Sequence, residues 1–371
     1  MSWKRLFSKS LAPGRLHFAA HSHHLWPDAS FAGQVEAWED AARLADGKWD
    51  RVMGEVWLEA QAHAAAELKL PDPSTIVFAP NTHALLIRIA SAIERRPVRI
   101  LAGEGEFHSF RRQASRWEEA GLATVTRADD PAGAEGVFDL IWVSQVRFGD
   151  GGVLGSIDAL ARLARPEGPL VVVDGYHAFM AVSTDLSTVA DRIFYVAGGY
   201  KYAMAGEGVA FAHCPPGCAQ RPVVTGWYAE FDDLSLPPGA VGYAKDARRL
   251  LGATFDPSGL YRFNAVRRML DGEGLTTMAI SEHVARLQRR ALELLEKTPI
   301  GAMALLNPLG DRAHARFLAF RSSHAPTIHA ALAARGVVTD VRGDVLRIGF
   351  GLYHDAADVD RLAAIAGDLG G

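Results

Sequence analysis

Residues 170–202, LVVVDGYHAFMAVSTDLSTVADRIFYVAGGYKY, constrain the fold more than any other stretch. Leu170 to Val173 is a short apolar run rich in β-branched side chains, closed by Asp174 and Gly175. It reads as a buried strand that carries a carboxylate at its carboxyl end. Ile193 to Ala197 is a second such run, closed by Gly198, Gly199, Tyr200 and Lys201. As parallel strands of one sheet, the two would deliver Asp174 and Lys201 to the same rim, where open α/β sheets bind ligands. Taken alone, the pair also suits a plain strand end and a solvated surface lysine.

An acid and a lysine facing one crevice is the pair that pyridoxal phosphate requires. The amine condenses with the aldehyde, and the carboxylate keeps the ring nitrogen protonated so that the ring can accept electrons. Composition removes several other classes. The chain has 371 residues, enough for two domains with a substantial core, and a net charge of −4. No basic stripe points to nucleic acid, and charged residues interrupt every long apolar stretch, which excludes a membrane helix. The basic start, MSWKRLFSKSLAPGRLHF, has no continuous apolar segment, so no secretory signal is expected. Cys214 and Cys218 lack a second pair that would complete a zinc set and read as reduced thiols, which predicts a cytoplasmic protein. His21, His23 and His24 lack neighbouring carboxylates or cysteines, so no metal is expected.

Along the chain, Phe31, Val35, Trp38, Ala42 and Leu44 give a helix with an apolar stripe, and a second helix is predicted over residues 55–68. Thr75 to Ala79 reads as a strand, followed by a helix over 84–93. Asn81 is placed to cap that helix, leaving the amides of Thr82 and His83 free at an end that binds phosphate. A purely structural cap is the alternative. Residues 98–102, 123–126 and 138–144 supply further strands, 156–164 a crossover helix, and 209–212 an antiparallel-type strand. GEGEFHSF (103–110) is a broken dinucleotide fingerprint, because His108 stands where the third glycine belongs. SQVRFGDGG (144–152) falls on the ligand-binding rim and makes Ser144 and Gln145 pocket candidates. The loop 221–242 is long and aromatic, which favours a function for it. Thr276 to Lys297 reads as an amphipathic arm into a smaller α+β unit. There Leu346, Ile348 and Phe350 share one strand face and Arg347 the other, the pattern of an exposed arginine.

DGYHAF (174–179) and GGYKYAMAGEGVAF (198–211) resemble the Asp-x-x-His and Tyr-Lys segments of the class V aminotransferase group of pyridoxal-phosphate enzymes, and RGVVTDVRGDVLRIGF (335–350) resembles the C-terminal passage of kynureninase within that group. The resemblance runs through most of the chain. It implies fold type I: a large domain over residues 31–272 with a mostly parallel seven-stranded sheet, and a small domain over 273–371. Residues 1–30 would serve both the active site and the small domain. It implies that Lys201 holds the cofactor, Asp174 pairs with its ring nitrogen and His177 packs beside the ring. Thr82, His83, Ser144 and Tyr200 would surround the cofactor, with Thr82 and Tyr200 on its phosphate. Aligned on the preceding acid, Phe107 would stack on the ring, with His108 as the alternative. The segment reads Phe107-His108-Ser109-Phe110 where kynureninases carry Phe-Pro-Ser-Asp. Ser22, His23 and Arg347 would contact substrate, Arg347 through its carboxylate. Trp227 and Thr254 would approach the phosphate from the second subunit of a homodimer with shared active sites.

The expected function is therefore a pyridoxal-phosphate enzyme acting on a small amino acid, either by kynureninase-like hydrolysis of a carbon–carbon bond or as an aminotransferase. A cysteine desulfurase would need a nucleophilic thiol late in the chain, and no cysteine follows Cys218. A binding module of the same fold would have no need to keep both Asp174 and Lys201, and a nicotinamide enzyme would need the missing glycine.

Overall fold

The computed structural model describes residues 2–165, 167–231, 235–237, 239–310 and 313–369; residues 232–234 and 238 of the aromatic loop lie outside these. Seven strands form the central sheet in the spatial order Ile76–Ala79, Ala210–His213, Ile193–Gly198, Leu170–Asp174, Leu140–Ser144, Val98–Gly103 and Ala123–Ala128. The last five run parallel to one another. Ala210–His213 is antiparallel to the strands on both sides of it. The sheet is thus mixed but mostly parallel, as expected. Its central strands are buried along their length, because helices cover them, which is why the sequence shows continuous apolar runs there rather than alternation.

A smaller sheet has the order Asp340–Arg342, Val345–Gly349, Phe317–Arg321, Ala304–Leu305, all antiparallel. The helix Thr277–Leu295 buries Ile280, Val284, Leu287, Ala291 and Leu295 at helical spacing, the last four in the core of this smaller unit. The N-terminal segment is stitched into the same unit. Leu16–His17 pairs in parallel with Val337–Val338, and Ala19 bridges to Gly349, before the chain passes on to the large sheet.

Two pattern-based expectations are corrected. The first helix spans Asp28–Leu44, but its apolar stripe faces outward, with Phe31 55 % and Trp38 75 % exposed. The buried face is Ser30, Gly33 and Asp40, lying on the helix Ser258–Gly272. A Cβ at position 33 would fall 2.6 Å from the Tyr261 carbonyl oxygen, so glycine permits an approach close enough that no large side chain fits between the helices. Asp40 on the same face accepts a hydrogen bond from the Tyr261 hydroxyl at 3.0 Å. The second correction is Arg347. It is only 1 % exposed, because both faces of its strand are covered.

Candidate active site

The strand registers place the expected residues on one rim. Ser144 lies opposite Asp174, Asp174 opposite Val196, and both Gly198 and Ala79 opposite Ala210. Asp174, the Gly199–Lys201 turn and the start of the helix Thr82–Ser91 therefore emerge at the same level. Gly175 makes this end possible, since a Cβ there would fall 2.0 Å from the Tyr195 hydroxyl oxygen. That hydroxyl donates to Gln145 Oε1 at 2.8 Å and so joins two strand ends.

Lys201 and Asp174 are both buried. The Lys201 Nζ donates to the His21 carbonyl at 2.8 Å and lies 5.8 Å from the centre of the Tyr176 ring. Burial, helped by the nearby Arg347 cation, lowers the Lys201 pKa from 10.5 to about 7. Burial raises the Asp174 carboxyl to about 6, opposed by the Tyr176 N–H, which it accepts at 2.9 Å, and by Lys201. His177 is buried and its Nε2 has no hydrogen-bond partner. Burial and the Lys201 charge hold the ring neutral, with a pKa well below that of ordinary histidine.

The other expected residues separate into groups. Asn81 accepts the Ala84 N–H at 2.9 Å, so Thr82 and His83 open the helix with their own amides turned to the rim. Tyr200 is hydrogen-bonded through its hydroxyl to His23 Nδ1 at 3.1 Å, which brings the N-terminal segment against the Lys201 turn. Ser22 is half-buried beside it. Phe107 meets Phe148 edge to face at 5.1 Å between ring centres, and Phe148 in turn lies 5.9 Å from His177. His108 instead faces an open groove with His83, Arg111, Arg112 and Arg116. Of the two alternatives, Phe107 is the one in the aromatic row that reaches His177. Trp227 and Thr254 are together, indole Nε1 to Oγ1 at 3.3 Å, and the other ring contacts of Trp227 are Tyr228 and Phe231. Among the described residues, no hydrogen bond or ring contact joins that pair to Lys201 within one chain.

Arg347 is not an open anchor. Its Nη2 pairs with Asp340, its Nη1 donates to the Phe148 carbonyl, and its guanidinium lies 4.4 Å from the Phe148 ring centre. Only Nε has no partner. Asp340 lies opposite Arg347 in the strand register and also meets Arg342 Nη2 at 3.2 Å and His21 Nε2 at 3.6 Å. His21, Phe148, Asp340 and Glu106 are site residues that pattern reading missed. For Asp340 a signal exists: a tight turn at Gly343 and Asp344 sets residue 340 opposite 347. Ser144 is also changed by the structure. Its hydroxyl is already engaged by Glu106 at 2.6 Å.

Sheet order and rim define the class: this is the fold of type I pyridoxal-phosphate enzymes, and the chain resembles their class V group. Solved structures with this fold include a cystine C-S lyase, C-DES, in complex with cysteine persulfide (TM-score 0.80, 16 % identity, 96 % of this chain and 98 % of that one). A C-DES mutant with glycine covalently linked to its PLP cofactor has a TM-score of 0.82 at 15 % identity, over 99 % and 100 % of the two chains. The cysteine desulfurase CsdA of Escherichia coli has 0.78 at 18 %, over 98 % and 96 %. Within the class, residues 280–366 match the family model of the kynureninase C-terminal domain. The chain is also 28 % identical over 356 residues to isopenicillin N epimerase of Streptomyces clavuligerus, covering 87 % of each. Among the described residues, no helix is long and apolar enough to cross a membrane, and no cluster of three or more histidine, cysteine or acidic side chains is placed to hold a metal.

Proposed function

We propose that this chain is a pyridoxal-phosphate enzyme acting on an amino acid, with a kynureninase-like reaction that hydrolyses the carbon–carbon bond beyond the α-carbon. The observation that carries the reading is the buried Lys201 amine, weakened as a base, on one rim with the buried Asp174 carboxyl. The residues fit the cofactor. An amine that has a substantial neutral fraction near pH 7 suits its aldehyde, a buried carboxyl suits the ring nitrogen, and the unpartnered His177 Nε2 is a polar atom in need of a partner. The cofactor, when bound, supplies an electron sink for the electrons released at the substrate α-carbon. Lys201 Nζ then takes or returns the α-proton, work for which a pKa near 7 is suited. Asp174 keeps a proton on the ring nitrogen. Thr82, His83 and Tyr200 surround the phosphate, Phe107 covers the ring, and Ser22 and His23 close the substrate side.

The kynureninase-like reading rests on the C-terminal match over residues 280–366, which contain Arg347. An aminotransferase is the second reading, favoured by the departure at Phe107-His108-Ser109-Phe110. The two separate in one assay. Cleavage between the β- and γ-carbons releases alanine with no keto-acid acceptor present, whereas transamination stops without one. A homodimer is part of the proposal, with Trp227 and Thr254 serving the phosphate site of another copy. Exposed Phe31, Trp38 and Leu58 supply apolar surface for such contact. The free thiols Cys214 and Cys218 agree with a cytoplasmic location.

Two predictions arise here. The neutral amine is the form that attacks the cofactor aldehyde, so cofactor loading should speed up with pH as Lys201 loses its proton and level off above about pH 7. Stopped-flow absorbance across a pH series reads this directly. A rate still climbing between about pH 8 and 10 would belong to an ordinary solvated lysine.

Arg347→Ala should reduce kcat/KM by about tenfold to a hundredfold, from a charge-assisted pair of about 1.5–3 kcal/mol, with Arg347→Lys recovering part of the loss. The Ala variant also leaves Asp340 short of its main cation, so its Tm should fall as well. Spectral titration with amino acids and with the matching amines isolates the carboxylate contact. An unchanged preference for the acids in Arg347→Ala would remove Arg347 from the substrate site.

A further inference from the structure

Glu106 is a second buried carboxyl at the rim, and no step above employs it. It is 3 % exposed. Its Oε1 accepts the Ser144 backbone N–H at 2.8 Å, and its Oε2 accepts the Ser144 hydroxyl at 2.6 Å. On the other side it meets the backbone N–H of Gly103. A Cβ at position 103 would fall 2.6 Å from Oε1, so only glycine at that strand end admits the carboxyl. Glu106 therefore ties together the carboxyl ends of Val98–Gly103 and Leu140–Ser144, and Ser144 is the register partner of Asp174. Burial raises the Glu106 pKa to about 8, so near neutral pH it stays protonated and adds no second negative charge beside Asp174.

The next residue is Phe107, which precedes the helix His108–Glu119 with no side-chain cap of its own. Phe107 is 38 % exposed, and its ring contact among the described residues is Phe148. Little packing holds this ring, so its place is inherited from the backbone that Glu106 pins.

We propose that Glu106 is a positioning residue whose carboxyl, clamped between Gly103 and Ser144, fixes the Phe107 ring over the cofactor face. This rests on the cofactor reading above, and the test separates the two. Cofactor Kd and the visible circular dichroism of bound cofactor are measured for the parent, Glu106→Gln, Glu106→Ala, Phe107→Ala and the double variant, with the Tm of each cofactor-free chain beside them. Glu106→Gln is neutral and keeps an oxygen for the Ser144 N–H, so it should retain the parent's affinity and dichroism. Glu106→Ala should weaken cofactor binding by about tenfold, the worth of a well-placed aromatic contact, and should diminish the dichroic band. Phe107→Ala should do the same, and the double variant should be little worse than either single one. If Glu106→Ala does not fold, Glu106→Asp, which withdraws the carboxyl by one methylene, carries the test. A purely structural clamp would lower Tm while leaving Kd and dichroism at parental values, and that result overturns the inference, as would full additivity with Phe107→Ala. A parent that binds no pyridoxal phosphate overturns the cofactor reading and this inference with it.

Discussion

Lys201→Ala is expected to abolish covalent attachment of the cofactor and to reduce turnover by about 10³- to 10⁴-fold or more, because one substitution removes both the anchor and the general base. The fold should survive. Among the described residues the Lys201 amine makes one hydrogen bond, to the His21 carbonyl, and it contributes little apolar packing. Removing a group whose pKa is pushed down from 10.5 to about 7 also removes a penalty on the folded state. The unfolded amine binds more protons than the folded one between those two values, so in the cofactor-free parent this group makes stability rise with pH through that window. In Lys201→Ala that contribution disappears, and the variant should gain most, relative to the parent, below about pH 7. Cofactor-free Tm measured across pH tests the sign. A variant that is uniformly less stable at all pH values would place the lysine in solvent-compatible surroundings instead.

Asp174→Asn should leave the cofactor bound but lower turnover by about 10²- to 10³-fold, the usual loss when a preorganised electrostatic partner of developing charge is removed. The amide keeps the shape and can still accept the Tyr176 N–H. What it loses is the negative charge that holds the ring nitrogen protonated. The buried position sharpens the effect, since no water can replace that charge. A dissociation constant for cofactor close to that of the parent, with turnover collapsed, is the expected pair of results. Parental turnover in Asp174→Asn would make the acid a structural strand-end residue.

The rim was legible from the sequence because two continuous apolar runs end in chemically distinctive residues, and a parallel sheet has only one carboxyl edge to put them on. The antiparallel strand at 210–213 and the arm helix over 277–295 were legible for similar reasons of pattern and length. The first helix shows the limit. Its apolar residues do fall at helical spacing, yet the close contact at Gly33 decides which face is buried, and a missing side chain leaves no trace in a hydrophobic pattern. Arg347 shows another. Alternation placed it opposite Leu346 and Ile348, but whether a sheet's second face meets solvent depends on tertiary packing; Phe148, 199 positions earlier, covers it. Glu106 was invisible as a site residue because a glutamate beside glycines in a loop reads as solvated. Only the fold shows it enclosed between two strand ends.

The closed state of Arg347 bears on how substrate would enter. Its Nη1 is held by the chain's own Phe148 carbonyl, within a turn that contains Gly149, Gly151 and Gly152. The fork that includes the unpartnered Nε is completed by Nη2, so a carboxylate gripped there by two hydrogen bonds has to share or displace the Asp340 carboxylate. The Phe148 carbonyl can stay, since it occupies Nη1 on the other side.

The central claim, that Lys201 carries pyridoxal phosphate, is tested most directly by reducing the loaded protein with borohydride and mapping the modified peptide by mass spectrometry. The account predicts one stable cofactor adduct, on the peptide containing Gly199-Tyr200-Lys201, at close to one per chain and absent from Lys201→Ala. No adduct in the parent, or an adduct on a different lysine that persists at full level in Lys201→Ala, would contradict it.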